Sequence, residues 1–251
     1  SSIAKIILNK PDTGNTLDLQ LAKELYEASL NAASDDNIKS LILTANGKLF
    51  CGGGNLRFLL SKKKEVKKTL LEMTMYFHGA ISRMARMSAP TIVGVNGTAG
   101  GGGFSLAITG DIIYAVKDAK FTLAYTNAGL SPDGSSTYYL PRIVGMKRAK
   151  ELMLTNRLFS AEEAFDMGLI DLVVNSNEEL NEALNKQAEK FSKGPTNAYK
   201  SVKKLLSESF NNGLETQMEK ESIHISNNAE SKHGIEGLTA FSEKRKPIFD
   251  D

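Results

Sequence analysis

The chain has 251 residues, 41% of them hydrophobic, which is enough to bury a core in one sizeable domain with or without a smaller appendage. A formal net charge of +2 gives no general electrostatic attraction to nucleic acid or membranes, so we expect partners of neither kind. A single cysteine excludes an intramolecular disulfide, which favours a reducing compartment. No apolar run approaches the ~20 residues of a membrane span. We therefore expect a cytoplasmic protein.

Strand-like and helical patterns alternate along the first ~170 residues, which predicts an α/β fold. Short apolar, β-branched runs predict strands over residues 3–8, 40–44, 91–95, 112–116, 121–123 and 169–174. Helical spacing predicts helices over residues 18–34, 66–84, 135–144, 146–155, 161–167, 178–192, 197–209, 214–227 and 234–243. We therefore divide the chain into a core over residues 1–192 and a C-terminal helical region over residues 193–251.

A glycine-rich loop over residues 96–103 joins the strand at 91–95 to the apolar start of a helix at Phe104. Without Cβ atoms the backbone is open to a ligand, and the unpaired N–H groups of a helix start can face developing negative charge, such as a thioester oxygen becoming an enolate. A tight turn or close helix–sheet packing is the alternative. A dinucleotide-binding fingerprint fits the run poorly, and a phosphate loop is excluded because no Gly-Lys-Ser/Thr follows it.

A second glycine-rich loop over residues 50–56 also follows a strand. If its N–H groups converge with those of the first loop, the two form a two-donor oxyanion hole. Cys51 is interpreted as a small buried thiol rather than a nucleophile, because no histidine lies near it in the sequence. The lysines at 62–64, 67 and 68 are interpreted as a solvated helix face. The alternative interpretation is a basic cluster that attracts phosphate.

A series of short motifs runs in order along nearly the whole chain: FCGGGNL at 50–56, the segment 90–103, AKF at 119–121, LPRIVG at 140–145, SAEEA at 160–164, GL at 168–169 and FSEKRKP at 241–247. This series resembles the enoyl-CoA hydratase/isomerase (crotonase) superfamily. The resemblance implies a spiral of ββα units, a C-terminal helical region that mediates trimerisation into a homotrimer or hexamer, and an acyl-CoA thioester substrate without a separate cofactor.

The resemblance also implies a site. It places the oxyanion-hole amides on Gly54 and Gly102, the latter at the helix start that the pattern itself indicates. The substrate-binding residues that it implies are Gly52, Gly53, Asn55, Leu56, Arg57, Ser105 and Tyr125. Asn55 replaces the aspartate usual in the family, which puts the ion pair of that aspartate in question.

The catalytic acids separate this chain from the hydratases of the superfamily, which carry two glutamates at the positions of Ser105 and Tyr125. Neither side chain replaces a carboxylate near neutral pH, so hydration by the usual pair is disfavoured. Asp133 matches the aspartate of several isomerases, and the segment 123–142 looks most like the ring-epoxide phenylacetyl-CoA isomerases. One carboxylate can take a proton and return it elsewhere, so we expect Asp133 to be catalytic; without the resemblance, a turn or a helix N-cap is as good a reading.

The leading hypothesis is an acyl-CoA isomerase that shifts a double bond or isomerises a ring epoxide through a thioester enolate. An atypical enoyl-CoA hydratase and a non-catalytic CoA-binding protein remain as alternatives. Dehalogenation ranks low, because the chain has no Trp and His78 is placed outside the matching helix position. Glu72 is a weak candidate for a second acid. The histidines show no metal-ligand spacing, so we expect no metal.

Overall fold

The computed structural model describes residues 2–249. The strands are β1 (Ile3–Leu8), β2 (Ser40–Ala45), β3 (Leu49–Cys51), β4 (Thr91–Val95), β5 (Thr98–Gly100), β6 (Ile112–Val116), β7 (Lys120–Thr122), β8 (Phe159–Ser160) and β9 (Leu172–Val174). The α-helices are α1 (Leu19–Ser34), α2 (Leu56–Ser61), α3 (Val66–Arg86), α4 (Gly102–Ala107), α5 (Ser136–Val144), α6 (Met146–Thr155), α7 (Ala161–Asp166), α8 (Asn177–Ser192), α9 (Thr196–Ser209), α10 (Leu214–Glu230) and α11 (Lys232–Ser242).

Successive pairs of strands contribute one strand to each of two sheets. One sheet has the order β1-β2-β4-β6-β9 and is parallel throughout. The other has the order β3-β5-β7-β8 and is parallel except for the β7–β8 pair. Helices follow the pairs β2–β3, β4–β5 and β6–β7, so the chain forms the predicted spiral of ββα units.

The core lies around the parallel sheet. Every residue of β2 and β4 is buried, as their continuous apolar runs predict for strands covered on both faces. Helix α8 packs against β2, β4 and β6, and α1 packs along α3. The side chain of Asp18 caps α1 by accepting a hydrogen bond from the Leu21 amide, which fixes where that helix begins.

Both glycine-rich loops contain strands that the sequence did not predict. β3 overlaps the loop at 50–56 and β5 lies inside the loop at 96–103, and each is only three residues long, too short to show alternation. Helix α2 was also missed; Asn55 starts it by accepting from the Phe58 amide. The last predicted strand, 169–174, is shortened to β9.

The C-terminal helices are joined to the core through a buried cation. Lys203 on α9 is only 10% exposed at its side chain and lies 2.7 Å from the carboxylate of Asp111. Its ammonium group also donates to the carbonyl oxygens of Met84 and Ala89, each at 3.1 Å. The three contacts hold α9 against the end of α3 and the start of β6.

Over residues 2–249, no helix combines the length and the apolar character needed to cross a membrane.

Candidate active site

A cavity of about 320 Å³ opens where the two glycine-rich loops meet α1, α2 and α3. Its apolar wall consists of Leu17, Ala22, Leu56, Leu59, Leu70, Met73, Phe77, Ala124, Ala128 and Leu130. Backbone of Gly52, Gly53, Gly54, Gly101 and Gly102 forms another part of the wall. Among residues 2–249, Asp133 is the one carboxylate that lines this cavity. An apolar pocket with a single acid suits an uncharged acyl group more than a charged one.

The two glycine-rich loops touch through their backbones. Gly53 has a φ of 91°, a conformation that favours glycine, and a Cβ on it would lie 2.8 Å from the carbonyl oxygen of Gly100. Over residues 2–249, the amides of Gly54 and Gly102 donate to no protein acceptor. Gly102 is the first residue of α4, where an amide has no partner within its own helix. Two unpaired N–H groups therefore belong to residues that line the same cavity.

Asp133 lies just before α5, and its backbone and its side chain accept hydrogen bonds from different groups. Its carbonyl oxygen accepts from the amide of Ser136 at 3.2 Å and from the Ser136 hydroxyl at 2.9 Å, which anchors the helix start. Its carboxylate does not cap that helix: Oδ1 accepts from the hydroxyl of Tyr125 at 2.7 Å. The carboxylate is thus left on the cavity wall rather than used as the N-cap that the sequence also allowed.

Tyr125 and Ser105, the positions that the resemblance assigns to a glutamate pair, are in contact. The Ser105 hydroxyl lies 2.7 Å from the Tyr125 hydroxyl oxygen, and Ser105 is fully buried. Burial, and then the negative charge of Asp133, raise the pKa of Tyr125 above its ordinary value. Tyr125 therefore keeps its proton near neutral pH and acts as a donor to the carboxylate.

The structure places His78 beside Asp133, a contact that the sequence did not predict. His78 lies on α3 with its side chain about half exposed, and its Nε2 is 3.2 Å from Oδ2 of Asp133. The Gly134 amide lies 3.2 Å from the same nitrogen. Nε2 can accept from Gly134 when it carries no proton and can donate to Asp133 when it carries one. The sequence carried no local signal for this contact, because it depends on how α3 packs beside the loop before α5.

The other predicted substrate-binding residues fall into two groups. Gly52, Gly53 and Leu56 line the cavity with Tyr125. Asn55, Arg57 and Ser105 do not line it: the Asn55 side chain caps α2, Arg57 is exposed, and Ser105 lies behind Tyr125.

Two further residues that the sequence raised lie outside the cavity. Glu72 does not line it and forms an ion pair with Lys23, whose ammonium nitrogen is 3.1 Å away. Cys51 is fully buried, and burial raises the pKa of its thiol to about 12, only partly opposed by a hydrogen bond from the Gly53 backbone. A thiol with that pKa is not a nucleophile near neutral pH.

Among the described residues, no three His, Cys, Asp or Glu side chains group in a way that could hold a metal ion.

The sequence matches one protein family and several characterised relatives. The family model described as enoyl-CoA hydratase/isomerase matches residues 1–251. The 1,2-epoxyphenylacetyl-CoA isomerase of Escherichia coli (strain K12) is 32% identical to this chain, over 98% of this chain and 94% of that protein. The 4-chlorobenzoyl coenzyme A dehalogenase-2 of Arthrobacter sp is 31% identical, over 96% of this chain and 88% of that protein.

Solved structures agree with this result. The crystal structure of an enoyl-CoA hydratase from Polaromonas sp. JS666 superimposes with a TM-score of 0.93 at 31% identity, over 99% of this chain and 96% of that one. Relatives that are 31% or 32% identical to this chain thus carry the names of an isomerase, a dehalogenase and a hydratase. The fold is the crotonase-like α/β fold, and the chain belongs to the enoyl-CoA hydratase/isomerase family.

Proposed function

We propose that the protein is an acyl-CoA isomerase that moves a proton along the acyl chain through a thioester enolate. The observation that carries this proposal is the placement of one carboxylate, Asp133, on the same apolar cavity as the unpaired amides of Gly54 and Gly102. Addition of water to a double bond calls for one group that activates water and another that delivers a proton. Asp133 is the one cavity-lining carboxylate in the described part of the chain, which favours a reaction that one acid completes alone.

In this proposal the thioester oxygen accepts hydrogen bonds from the Gly54 and Gly102 amides. The carboxylate of Asp133 removes a proton from Cα, and the electron pair of the broken C–H bond enters the enolate that the two amides stabilise. In a 3-enoyl thioester the enolate is conjugated with the double bond, so the proton held by Asp133 can be returned at Cγ. The double bond then lies between Cα and Cβ, and the carboxylate is restored.

Three thioesters separate the proposed activity from its alternatives. Incubation with 3-hexenoyl-CoA tests double-bond isomerisation, crotonyl-CoA tests hydration, and ring-epoxide phenylacetyl-CoA tests ring isomerisation. We expect conversion of 3-hexenoyl-CoA or of the ring epoxide and no hydration of crotonyl-CoA. Hydration alone would replace the isomerase by an atypical hydratase. No conversion of any thioester, with CoA still bound, would favour a non-catalytic CoA-binding protein.

One observation supports a second candidate, hydrolytic dehalogenation of an aryl-CoA. Nε2 of His78 lies 3.2 Å from Oδ2 of Asp133, a contact that the sequence did not predict. In that reaction the carboxylate would attack the carbon that carries the halogen and release halide as an aryl ester forms. His78 would then take a proton from the water that hydrolyses the ester. Chloride release from 4-chlorobenzoyl-CoA tests this candidate, and its absence would remove it.

We also propose that the protein assembles as a homotrimer or hexamer through its C-terminal region. Large apolar side chains on α11 are open to solvent in the single chain, among them Leu238 at 64% and Phe241 at 86% exposure. Burying such side chains favours association. Analytical ultracentrifugation tests the proposal, and a monomer at micromolar concentration would overturn it.

A further inference from the structure

We infer that Ser105 is a positioning residue for the proposed proton transfer: its hydroxyl donates to Tyr125 and thereby commits the Tyr125 proton to Oδ1 of Asp133, leaving Oδ2 as the oxygen that exchanges the proton. This inference rests on the proposed isomerase function. It concerns a residue that does not line the cavity and acts only through its neighbour.

The directions of the hydrogen bonds follow from the distances. The Tyr125 hydroxyl oxygen lies 2.7 Å from Oδ1 of Asp133 and 2.7 Å from the Ser105 hydroxyl oxygen. A hydroxyl has one proton, and a bond from it to a carboxylate is about twice as strong as one to a neutral oxygen. The Tyr125 proton therefore goes to Asp133, and the Tyr125 oxygen is left to accept from Ser105. The alternative acceptor for Ser105, the carbonyl oxygen of Gly101, is farther away at 3.4 Å.

Burial explains why the Ser105 hydroxyl is held to this arrangement. Ser105 is 0% exposed, and its neighbours on α4, Phe104, Leu106 and Ala107, are equally buried. A hydroxyl in such surroundings costs free energy unless it is hydrogen-bonded, by about 1–3 kcal/mol in mutational studies. Its bond to Tyr125 offsets that cost, and donation into the tyrosine oxygen strengthens the outgoing bond to the carboxylate.

The two carboxylate oxygens of Asp133 are consequently unequal. Oδ1 faces Tyr125, whose raised pKa keeps it a permanent donor. Oδ2 faces Nε2 of His78, whose side chain is about half exposed and whose Nε2 can also accept from the Gly134 amide. A proton taken from the substrate is therefore accommodated on Oδ2, where no fixed donor competes with it.

A double-mutant cycle on the conversion of 3-hexenoyl-CoA tests this chain of bonds. We expect Tyr125→Phe to lower kcat about 10- to 100-fold and Ser105→Ala to lower it about 2- to 10-fold, with KM nearly unchanged in both. Because Ser105 acts through the tyrosine hydroxyl, the double variant should match Tyr125→Phe alone. Losses that multiply, or a Ser105→Ala loss that falls on KM, would show a packing role and overturn the inference.

Thr109→Val is the matched control. Thr109 follows α4, is also buried, and donates its hydroxyl to the carbonyl oxygen of Leu106 rather than to Tyr125. The kcat of Thr109→Val should equal that of the wild type. An equal loss of kcat in Thr109→Val and Ser105→Ala would again indicate a general packing effect. If Ser105→Ala does not fold, Ser105→Cys, which keeps a weak donor of similar size, takes its place in the cycle.

Asp133→Asn separates failure of the inference from failure of the proposed function. If this variant keeps normal turnover, the function itself is wrong, whatever the cycle shows. If it is inactive while the Ser105 and Tyr125 losses multiply, the function stands and only the positioning role is wrong.

Discussion

The hydroxyl of Tyr125 donates to Oδ1 of Asp133 across 2.7 Å, eight residues apart in the chain. The contact lies within the segment that connects β7 to α5, and it turns the carboxylate onto the cavity wall instead of the helix N-terminus. Gly54 and Gly102, whose amides donate to no protein acceptor among residues 2–249, line the same cavity. This grouping is the structural basis for proposing proton transfer by a single acid.

Gly102→Ala should impair activity more than it impairs folding. Its Cβ would lie 2.8 Å from Cδ1 of Leu17, which is buried and lines the cavity. Overpacking costs about 1–3 kcal/mol, and replacing a helical glycine by alanine returns up to about 1 kcal/mol. We expect kcat/KM for 3-hexenoyl-CoA to fall at least about 10-fold with a melting temperature within a few degrees of the wild type.

Gly213→Ala is the control for that change. A Cβ at Gly213 meets nothing within 4 Å and its backbone is extended, so turnover should be unaffected, and the loss of the glycine N-cap of α10 should cost less than about 1 kcal/mol. Unimpaired kcat/KM in Gly102→Ala would indicate that the wall formed by Leu17 and Gly102 does not contact the substrate.

His78→Asn distinguishes the two candidate reactions. If Asp133 shuttles the proton alone, His78 tunes its surroundings, and kcat for 3-hexenoyl-CoA should fall by less than about 10-fold. If His78 is the base for ester hydrolysis, release of chloride from 4-chlorobenzoyl-CoA should fall by about 100-fold or more. Rates for both substrates, measured in parallel, decide which reaction depends on the imidazole.

Much of the fold could be predicted because its signals are local. Helices α1 and α7 begin within one residue of their predicted starts, and β2 and β4 are the buried apolar runs that the pattern predicts. The three-residue strands β3 and β5 could not be predicted, because pairing with other strands, rather than propensity, makes them strands.

The site was harder to predict than the fold. The glycines and Asp133 stand in recognisable motifs, but His78 and Asp133 are 55 residues apart in the chain, and their contact depends on how α3 packs beside the loop before α5. The Ser105–Tyr125 contact likewise spans 20 residues. Such contacts are set by tertiary packing, which no local pattern reports.

Lys203→Met should destabilise the protein. The substitution leaves Asp111 with the Thr91 amide as a donor but without its cation, and leaves the carbonyl oxygens of Met84 and Ala89 without the ammonium group. Breaking a fully buried pair costs about 3–5 kcal/mol, and the partial exposure of Asp111 reduces this to about 3 kcal/mol or less.

Urea unfolding measures that loss, with Lys220→Met as the control. The pair of Lys220 and Glu208 has the same 2.7 Å separation, but the Lys220 side chain is 38% exposed against 10% for Lys203, so its loss should cost much less. Equal losses in the two variants would contradict the role given to Lys203 in holding α9 to the core.

Cys51 should resist alkylation in the native protein. Burial raises its thiol pKa to about 12, so at about pH 8 almost none of it is the reactive thiolate, and the side chain is also inaccessible. Mass spectrometry after iodoacetamide treatment should find the native chain unmodified and the urea-unfolded chain fully modified. Rapid labelling of the folded protein would contradict the interpretation of Cys51 as a buried core residue.

The most direct test of the account is the rate at which Asp133→Asn converts 3-hexenoyl-CoA to its conjugated 2-enoyl isomer. We predict that kcat falls about 10²- to 10⁴-fold, the range for loss of a general acid or base, while the Kd for CoA stays close to that of the wild type. Asp118→Asn, which changes an exposed turn residue in the same way, should leave the rate unchanged. An Asp133→Asn variant as fast as the wild type would contradict the proposed mechanism.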